Sequence, residues 1–421
     1  MRILNKTIVI LSSYEAIREA HSHPLMGQRA QNIISDLYKG TPEGRGISFN
    51  HGKVWRELRA FYLKSLKNFG SERESIEDNI MEECERIIKY FEDKGKNKAH
   101  ISLTNIFNKV ALNIVWKIIA GERFDYEDQK LDELMQMIDS FNNVARTLQA
   151  SPLALLPILR HLPPFKSVYR KSQKGMSEVK AFISRIIEEH RQTFDKDNLR
   201  DYIDSFIHEM EGPEKEIYNE ENLLISCFDL FIAGSETSSK SLMFFLSFLV
   251  LYPEVQKRIY QELSLKVPDR NVRAADIPNL PFCSSVMIEI WRLMPIVPMD
   301  VPRFTNGDIE IQGFDIPNGT EVWSNYFAAN MDEKSWEQPH LFKPERHMQS
   351  QNTHLAFGLG RRRCLGEDMA KTENTLIFCN LVKHFQFEAV PGEEPSVSLD
   401  DCTPALTIGP KPFKVIALTR E

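Results

Sequence analysis

One segment constrains the fold more than any other: residues 220–251 are apolar on almost every face of a helix. Such a helix has no polar side for solvent, so it is predicted to be buried and about 45 Å long. Its centre, from Gly234 to Lys240, is nevertheless polar. Because buried polar groups need partners, two interpretations are open. Either Ser and Thr hydroxyls bond back to a kinked helix, or the polar run faces a bound ligand.

The rest of the chain also has a mainly helical pattern. Apolar periodicity predicts further helices at 51–69, 72–95, 101–119, 129–149, 166–192 and 366–384. Ser12 and Glu15 form a capping box that predicts a short helix after an N-terminal strand. Short β-like runs between Pro, Gly and Asp turns begin near residue 300. Because there is no internal repeat or low-complexity linker, residues 1–421 are predicted to form one large domain, mainly α with small β-sheets.

Composition excludes several classes of protein. With 42% hydrophobic and 26% charged residues, the chain is neither disordered, collagen-like nor a coiled coil. A formal charge of −7 speaks against general nucleic-acid binding. The six cysteines form no C-x-x-C pair, which argues against a disulfide scaffold or zinc site and for a reducing compartment. We identify no signal peptide and no apolar stretch long enough to span a membrane.

The loop from Phe357 to Glu367 combines two glycines and three consecutive arginines with Cys364, just before a predicted helix. Glycines permit a tight loop with positive φ. A helix N-terminus and nearby arginines both favour a thiolate over a thiol. The alternatives are an anion-binding loop and a buried, inert cysteine.

Five motifs, in family order and at family spacing, resemble those of the cytochrome P-450 monooxygenases. They are Trp55-x-x-x-Arg59, Ala233-Gly234-x-Glu236-Thr237-Ser238, Glu289-x-x-Arg292, Pro344-Glu345-Arg346 and Phe357-x-x-Gly360-x-Arg362-x-Cys364-x-Gly366. The runs Arg45–Phe49 and Leu66–Gly70 look closest to the microsomal family-2-like branch. The resemblance therefore implies a single catalytic domain with the multi-helical cytochrome P-450 fold.

The resemblance also implies a cofactor and a role for each motif residue. The cofactor is haem b (heme b, iron protoporphyrin IX), with Cys364 as its axial thiolate and metal ligand. Thr237 and Glu236 would deliver protons during oxygen activation, beside space left by Ala233. Phe357 would shield the sulfur, and the haem propionates would bind Trp55, Arg59, Arg303 and Arg362. A structural role is implied for Glu289, Arg292 and Arg346.

The implied reaction inserts one oxygen atom from O2 into a lipophilic small molecule, by hydroxylation or epoxidation of a steroid, terpenoid, fatty acid or xenobiotic. Electrons would come from NADPH through NADPH–cytochrome P-450 reductase, with cytochrome b5 as a further donor. The enzyme would work at the membrane surface, on the cytosolic face of the endoplasmic reticulum. By resemblance, the substrate pocket would draw on residues 27–50, 140–150, 229–237, 293–299 and 403–406.

A basic segment favours an electron-transfer partner. Residues 53–67 carry five basic residues against one acidic residue, a local charge of +4 in a chain of −7. Arg361, Arg363 and Lys371 flank Cys364. Such a charge run is either a solvated helix face or a docking surface for an acidic flavoprotein reductase, whose binding weakens as salt rises.

Members of this branch usually carry an N-terminal membrane helix and a proline-rich hinge before the first strand. Here Met1 falls close to that strand, so we expect this chain to lack the anchor and hinge. The alternatives to a monooxygenase are an electron-independent haem-thiolate isomerase or dehydratase, and a truncated, non-catalytic haem-binding protein. A helical scaffold without a cofactor would leave the Cys364 loop unexplained.

Overall fold

The structure, a computed structural model, describes residues 2–3, 6–29, 33–39, 45–69, 76–149, 151–154, 156–348, 354–402 and 406–420. Within these ranges the α-helices are α1 (Tyr14–Ser22), α2 (Ile33–Lys39), α3 (Gly52–Phe69), α4 (Ile76–Gly95), α5 (Leu103–Ala120), α6 (Gln129–Gln149), α7 (Phe165–Gln192), α8 (Tyr202–Met210), α9 (Glu220–Leu251), α10 (Pro253–Lys266), α11 (Pro281–Leu293), α12 (Tyr326–Asn330) and α13 (Glu367–His384).

The strands in the same ranges are β1 (Arg2–Ile3), β2 (Lys6–Leu11), β3 (Gln28–Arg29), β4 (His100–Ser102), β5 (Arg303–Phe304), β6 (Ile309–Ile311), β7 (Phe314–Ile316), β8 (Glu321–Ser324), β9 (Phe385–Ala389) and β10 (Lys414–Thr419). They form a five-stranded sheet in the order β1-β2-β8-β5-β3, a three-stranded sheet β4-β10-β9 and the hairpin β6-β7. β2 pairs with β8 in parallel, and the other pairings are antiparallel. The prediction of a mainly α fold with small sheets is confirmed.

Helix α9 runs through the interior, as its all-round apolar pattern predicts. Its first half belongs to one hydrophobic core, with Phe231 packed 5.6 Å from the Trp116 ring of α5. Its second half belongs to another core, where Phe245 lies 5.3 Å from Trp291 of α11. The helix therefore joins the two cores, and its polar centre lies where they meet.

The helix ends are set by local hydrogen bonds. The Asn219 side chain accepts the Asn222 N–H and begins α9. At α1 the cap is Ser13, whose hydroxyl accepts the Ala16 N–H at 3.3 Å. The capping box predicted at Ser12 and Glu15 is therefore wrong by one residue. Among the described helices, none combines the length and apolar character needed to cross a membrane.

Candidate active site

Two adjoining cavities surround Cys364. The larger, about 310 Å³, lies between α3, α5, α9 and the loop before α13. The smaller, about 180 Å³, extends towards Trp291, Asp300 and Phe357. Both are lined by Thr237, Ser238, Arg362, Cys364 and Ala370. The Cys364 loop and the polar centre of α9, predicted separately, therefore share one space.

The loop that carries Cys364 depends on its glycines. The Cys364 N–H donates to the Phe357 carbonyl at 2.8 Å and closes the loop. Gly358 and Gly360 both have φ of +71°, which favours glycine. A side chain on Gly358 would come within 2.8 Å of the Tyr326 hydroxyl, and one on Gly360 would collide with the His21 carbonyl. Cys364 is thus fixed between a tightly packed loop and α13.

The protonation of Cys364 reflects opposing effects. Burial raises the pKa of its thiol, whereas the Gly366 N–H and the positive charges of Arg59 and Lys371 lower that pKa. Burial is the larger effect, so the cations and the helix N-terminus offset it only in part. A metal ion bound to the sulfur would reverse the balance, since a coordinating thiol is deprotonated.

The polar centre of α9 shows features of both interpretations of its sequence. Thr237 Oγ1 donates to the Ala233 carbonyl at 2.8 Å, and Ser235 and Ser241 make the same bond four residues back. Yet Ala233 and Thr237 also line the larger cavity. The Thr237 O–H is donated to the Ala233 carbonyl. The lone pairs of its oxygen can still accept a hydrogen bond from a group in the cavity.

Glu236 does not lie with Thr237 in the Cys364 cavities. Its carboxylate is paired with Lys240 at 2.5 Å, and Lys240 also donates to Thr407. Both residues line a separate cavity of about 300 Å³ that contains Asp139. The structure therefore places the two catalytic candidates on different faces of α9.

The acid that does line the Cys364 cavity beside Ser238 is Glu373 of α13. It is buried, accepts a hydrogen bond from Ser238 at 3.1 Å, and leaves Oε1 without a partner among the described residues. Burial raises the pKa of Glu373 to about 8, although the Ser238 hydrogen bond opposes this. Sequence reasoning missed it, because the first half of α13, from Glu367 to Thr375, is polar as a whole and nothing in that run singles out Glu373.

A cluster of buried and half-buried arginines forms another wall. The Arg362 guanidinium stacks 3.7 Å from the centre of the Trp55 ring and donates to the carbonyls of Gly27 and Asn50. Arg59 donates to the Arg363 carbonyl at 3.0 Å. Arg29, which sequence reasoning missed, lines the same cavity. No spacing pattern marks Arg29, because it reaches the site through the pairing of β3 with β5.

Arg303 is one step removed from the larger cavity. It is 2% exposed, and Asp300 binds its Nε at 3.0 Å and its Nη2 at 2.9 Å. Asp300 lies 3.7 Å from Arg29 Nη1 and lines the smaller cavity with Cys364. Asp300, also missed from sequence, is thus a carboxylate within the group of arginines that the resemblance assigns to propionates.

These residues fit haem. Burial and the charges of Arg29, Arg303 and Arg59 lower the pKa of Arg362 to about 8, although Asp300 opposes them. The Arg29 Nε is buried without a hydrogen-bond partner among the described residues. An anionic ligand would stabilise the charged form of Arg362 and could accept a hydrogen bond from the Arg29 Nε, since buried cations need partners. A thiol in the same space as this surplus of positive charge suits a metal-bearing dicarboxylate such as haem b.

Glu289 is the centre of a buried ion network. Arg292 donates to both of its oxygens at 2.8 and 2.9 Å, and Arg346 adds a contact at 3.1 Å. His347, missed from sequence, lies 2.8 Å from Oε2. Arg292 also donates to the carbonyls of Asn330 and Pro339. The network therefore ties α11 to the segments that precede the Cys364 loop.

The larger cavity is apolar on the side of α5 and α9, with Val115, Ile118, Ile119 and Leu230 among its lining residues. Asp229 lies there too, and accepts the backbone N–H groups of Ile47 and Ser48. The family resemblance implied that residues 27–50 and 403–406 contribute to this pocket. Of those, residues 30–32, 40–44 and 403–405 lie outside the described part of the chain.

The predicted basic segment lies on α3. Lys53, Arg56 and Lys64 are exposed, whereas Arg59 turns inward to the Cys364 loop. Arg361 and Arg363 are exposed on that loop. The Lys67 side chain lies outside the description. The exposed cations thus occur both on α3 and on the loop that holds Cys364.

Comparisons with known proteins agree with this site. The family model for cytochrome P450 matches residues 1–417. Cytochrome P450 2J3 of Rattus norvegicus is 33% identical over 89% of this chain and 75% of the rat protein. Cytochrome P450 2D15 of Canis lupus familiaris is 33% identical over 97% and 83%, and the vitamin D(3) 25-hydroxylase of Sus scrofa is 32% identical over 99% and 84%.

The family match and these relatives confirm the resemblance to family-2 cytochromes P450. They establish an oxygen-incorporating monooxygenase whose cofactor is haem b, held by a cysteine thiolate as axial ligand. Its redox partner and lipophilic substrates follow in general terms from the same relationship. The chain belongs to the cytochrome P450 family.

Proposed function

We propose that this monooxygenase inserts one atom of O2 into a lipophilic small molecule, with electrons delivered from NADPH by NADPH–cytochrome P-450 reductase. The observation that carries the proposal is the shared space of Cys364, Thr237 and the buried arginines. The balanced reaction consumes the substrate, O2, NADPH and one proton, and yields the oxygenated product, water and NADP+. Hydroxylation or epoxidation of a steroid, terpenoid, fatty acid or xenobiotic fits the apolar cavity wall.

Cys364 is the proposed axial ligand, and Arg29, Arg59, Arg362 and Trp55 are the proposed partners of the propionates. When bound, haem supplies the oxygen chemistry, and a thiolate ligand favours O–O cleavage. Phe357 packs 5.2 Å from the Trp291 ring and lines the smaller cavity with Cys364. Its proposed role is to limit the access of water to the sulfur. Arg303 acts through Asp300 at the edge of this group.

Thr237 is the proposed proton-handling residue. Its oxygen can accept a hydrogen bond from a water molecule in the cavity while its O–H donates to the Ala233 carbonyl. A hydroxyl placed in this way orients a proton donor without being ionised itself. Glu236 belongs to the proposal as a group on the face of the helix that lines the separate cavity, where Lys240 holds it.

The proposed location is the cytosolic face of the endoplasmic reticulum, supported by the family-2 relatives. The proposed reductase surface comprises Lys53, Arg56, Lys64, Arg361 and Arg363. Cytochrome b5 would use the same positive charges. The reductase and cytochrome b5 assignments depend on the exposed cations of α3 and of the Cys364 loop.

Reconstitution with the reductase, NADPH and ¹⁸O2 tests the proposal on a panel of the four substrate classes. We expect a product with one labelled oxygen atom and strict dependence on NADPH. Conversion without NADPH, or a product without label, would instead indicate an isomerase or dehydratase.

Thr237→Ala tests the proton-handling role in the same assay. We expect the variant to divert most of its NADPH consumption to hydrogen peroxide. Ser247→Ala is the matched control, because Ser247 makes the same back-bond to Met243 in α9 but lines neither Cys364 cavity. Equal coupling in the two variants would remove Thr237 from the mechanism.

A further inference from the structure

Asp300 is an ionised carboxylate inside a group of arginines. Its Oδ2 lies 2.9 Å from Arg303 Nη2, and its Oδ1 lies 3.7 Å from Arg29 Nη1. His21 Nε2 is 3.6 Å from Oδ2. The side chain is 11% exposed. Asp300 therefore contacts both Arg29, which lines the larger cavity, and Arg303, which lies behind it.

Among Asp300 and its titratable neighbours His21 and Tyr326, only Asp300 carries a charge at pH 7. Burial alone would raise its pKa, but Arg303, Arg29 and His21 lower that pKa to about 2. Burial and Arg303 lower the pKa of His21 to about 4, so His21 is neutral at pH 7. Burial, together with Asp300, raises the pKa of Tyr326, which is therefore neutral as well.

The negative charge of Asp300 lies beside the proposed cofactor site. Asp300 lines the smaller cavity together with Phe357, Arg362 and Cys364. Arg29 also lines the larger cavity, so it faces the cofactor space while it contacts Asp300. A fixed negative charge near a redox centre stabilises the oxidised state, because reduction adds an electron to the same region.

We propose that Asp300 is a positioning residue that holds Arg29 in place for the haem carboxylates, with Arg303 as its own counter-ion, and keeps the reduction potential of the iron low. The inference rests on the proposed haem site, which it deepens. It assigns Asp300 two effects, orientation of the Arg29 guanidinium and an electrostatic bias on electron uptake. Only the second changes the potential.

The test is a spectroelectrochemical titration of the haem-loaded protein. Asp300→Asn removes the charge with little change of shape, so we expect the ferric/ferrous midpoint potential to rise. Arg303→Gln removes the paired positive charge, and we expect a shift in the opposite direction. Asp308→Asn is the control, since this exposed residue of the same segment contacts the Asn318 backbone and not the arginines.

The opposite signs separate the proposal from a purely structural role, which would disturb both variants alike. Unchanged potentials, or shifts of the same sign, would overturn it. If Asp300→Asn takes up no haem, Asp300→Ser, which also removes the charge, is titrated in its place: a higher midpoint supports the proposal, and a midpoint at or below that of the parent rejects it. A parent protein without a red-shifted carbon monoxide band would instead reject the haem-site proposal, so the two failures are distinguishable.

Discussion

Glu289 is a single buried charge whose partners stabilise the region before the Cys364 loop. Glu289 has no exposed surface, and burial alone would raise its pKa. Hydrogen bonds from Arg292 and His347 outweigh burial and lower that pKa to about 2, against an ordinary 4.5. The carboxylate is therefore stable in the fold only because its partners are present.

This shift predicts a pH dependence of stability. A depressed folded-state pKa contributes stability above the unfolded value, and the contribution is lost as pH falls from about 4.5 towards 2. We expect Glu289→Gln to unfold with about 3 kcal/mol less free energy at pH 7 and to lack this part of the acid dependence. Urea unfolding at pH 7 and pH 3 measures both.

Asp401→Asn is the control for that measurement. Asp401 forms a 2.8 Å pair with Lys411, but both side chains are largely exposed, so solvent screens their interaction. We expect a much smaller loss. Equal losses in the two variants would contradict the role assigned to Glu289.

Motif spacing indicated Cys364, Thr237 and Trp55 because each lies in a local sequence pattern. It did not indicate Arg29, Asp300 or Glu373, which reach the cavities through strand pairing, loop packing and the face of α13. Glu236 shows the reverse case. It is adjacent to Thr237 in sequence, but successive helix residues point about 100° apart, so the two line different cavities.

At the scale of elements, the contact of α9 with α5 sets the space beside Thr237. A side chain on Gly234 would lie 2.5 Å from Val115 Cγ2. Glycine in a helix costs about 1 kcal/mol relative to alanine, so this residue is retained against propensity. The close packing, rather than room for oxygen alone, explains a glycine here.

Gly234→Ala should therefore destabilise the protein despite its better helix propensity. We expect a loss of about 1 kcal/mol or more, since overpacking exceeds the propensity gain. In the double variant with Val115→Ala the clash is removed, and the coupling should be favourable by at least about 1 kcal/mol. Unfolding free energies of the four proteins give this coupling, and additive effects would contradict the packing account.

The same element shows what periodicity can predict. The bounds of α9 and α6 follow the predicted segments, because long apolar patterns with clear ends specify a helix locally. The predicted cap of α1, Ser12, differs by one residue from the observed cap, Ser13. Either serine could cap a helix, and only the backbone geometry selects Ser13. Sheet order could not be read from sequence, because β2 pairs with the distant β8.

At the scale of the whole molecule, charge is distributed unevenly. The chain carries −7 overall, yet exposed cations occur on α3 and on the Cys364 loop. Fields of this kind steer an oppositely charged partner and weaken as salt screens them. This distribution supports reduction by an acidic flavoprotein at that surface.

We expect reduction by the reductase to slow as ionic strength rises from about 0.05 M to about 0.5 M. Arg56→Glu and Lys64→Glu should each slow it further at low salt. Lys174→Glu, an exposed substitution of equal charge on α7, should have little effect. Stopped-flow reduction kinetics provide the measurement, and a salt-independent rate would contradict the assignment.

The central claim is that Cys364 is the thiolate ligand of haem in this fold. The most direct measurement is the difference spectrum of the reduced protein with carbon monoxide, for the parent and for Cys364→Ser. The account predicts a red-shifted Soret band in the parent that is lost in the variant. Haem with only the shorter-wavelength band in the parent, or a folded parent that binds no haem, would contradict it.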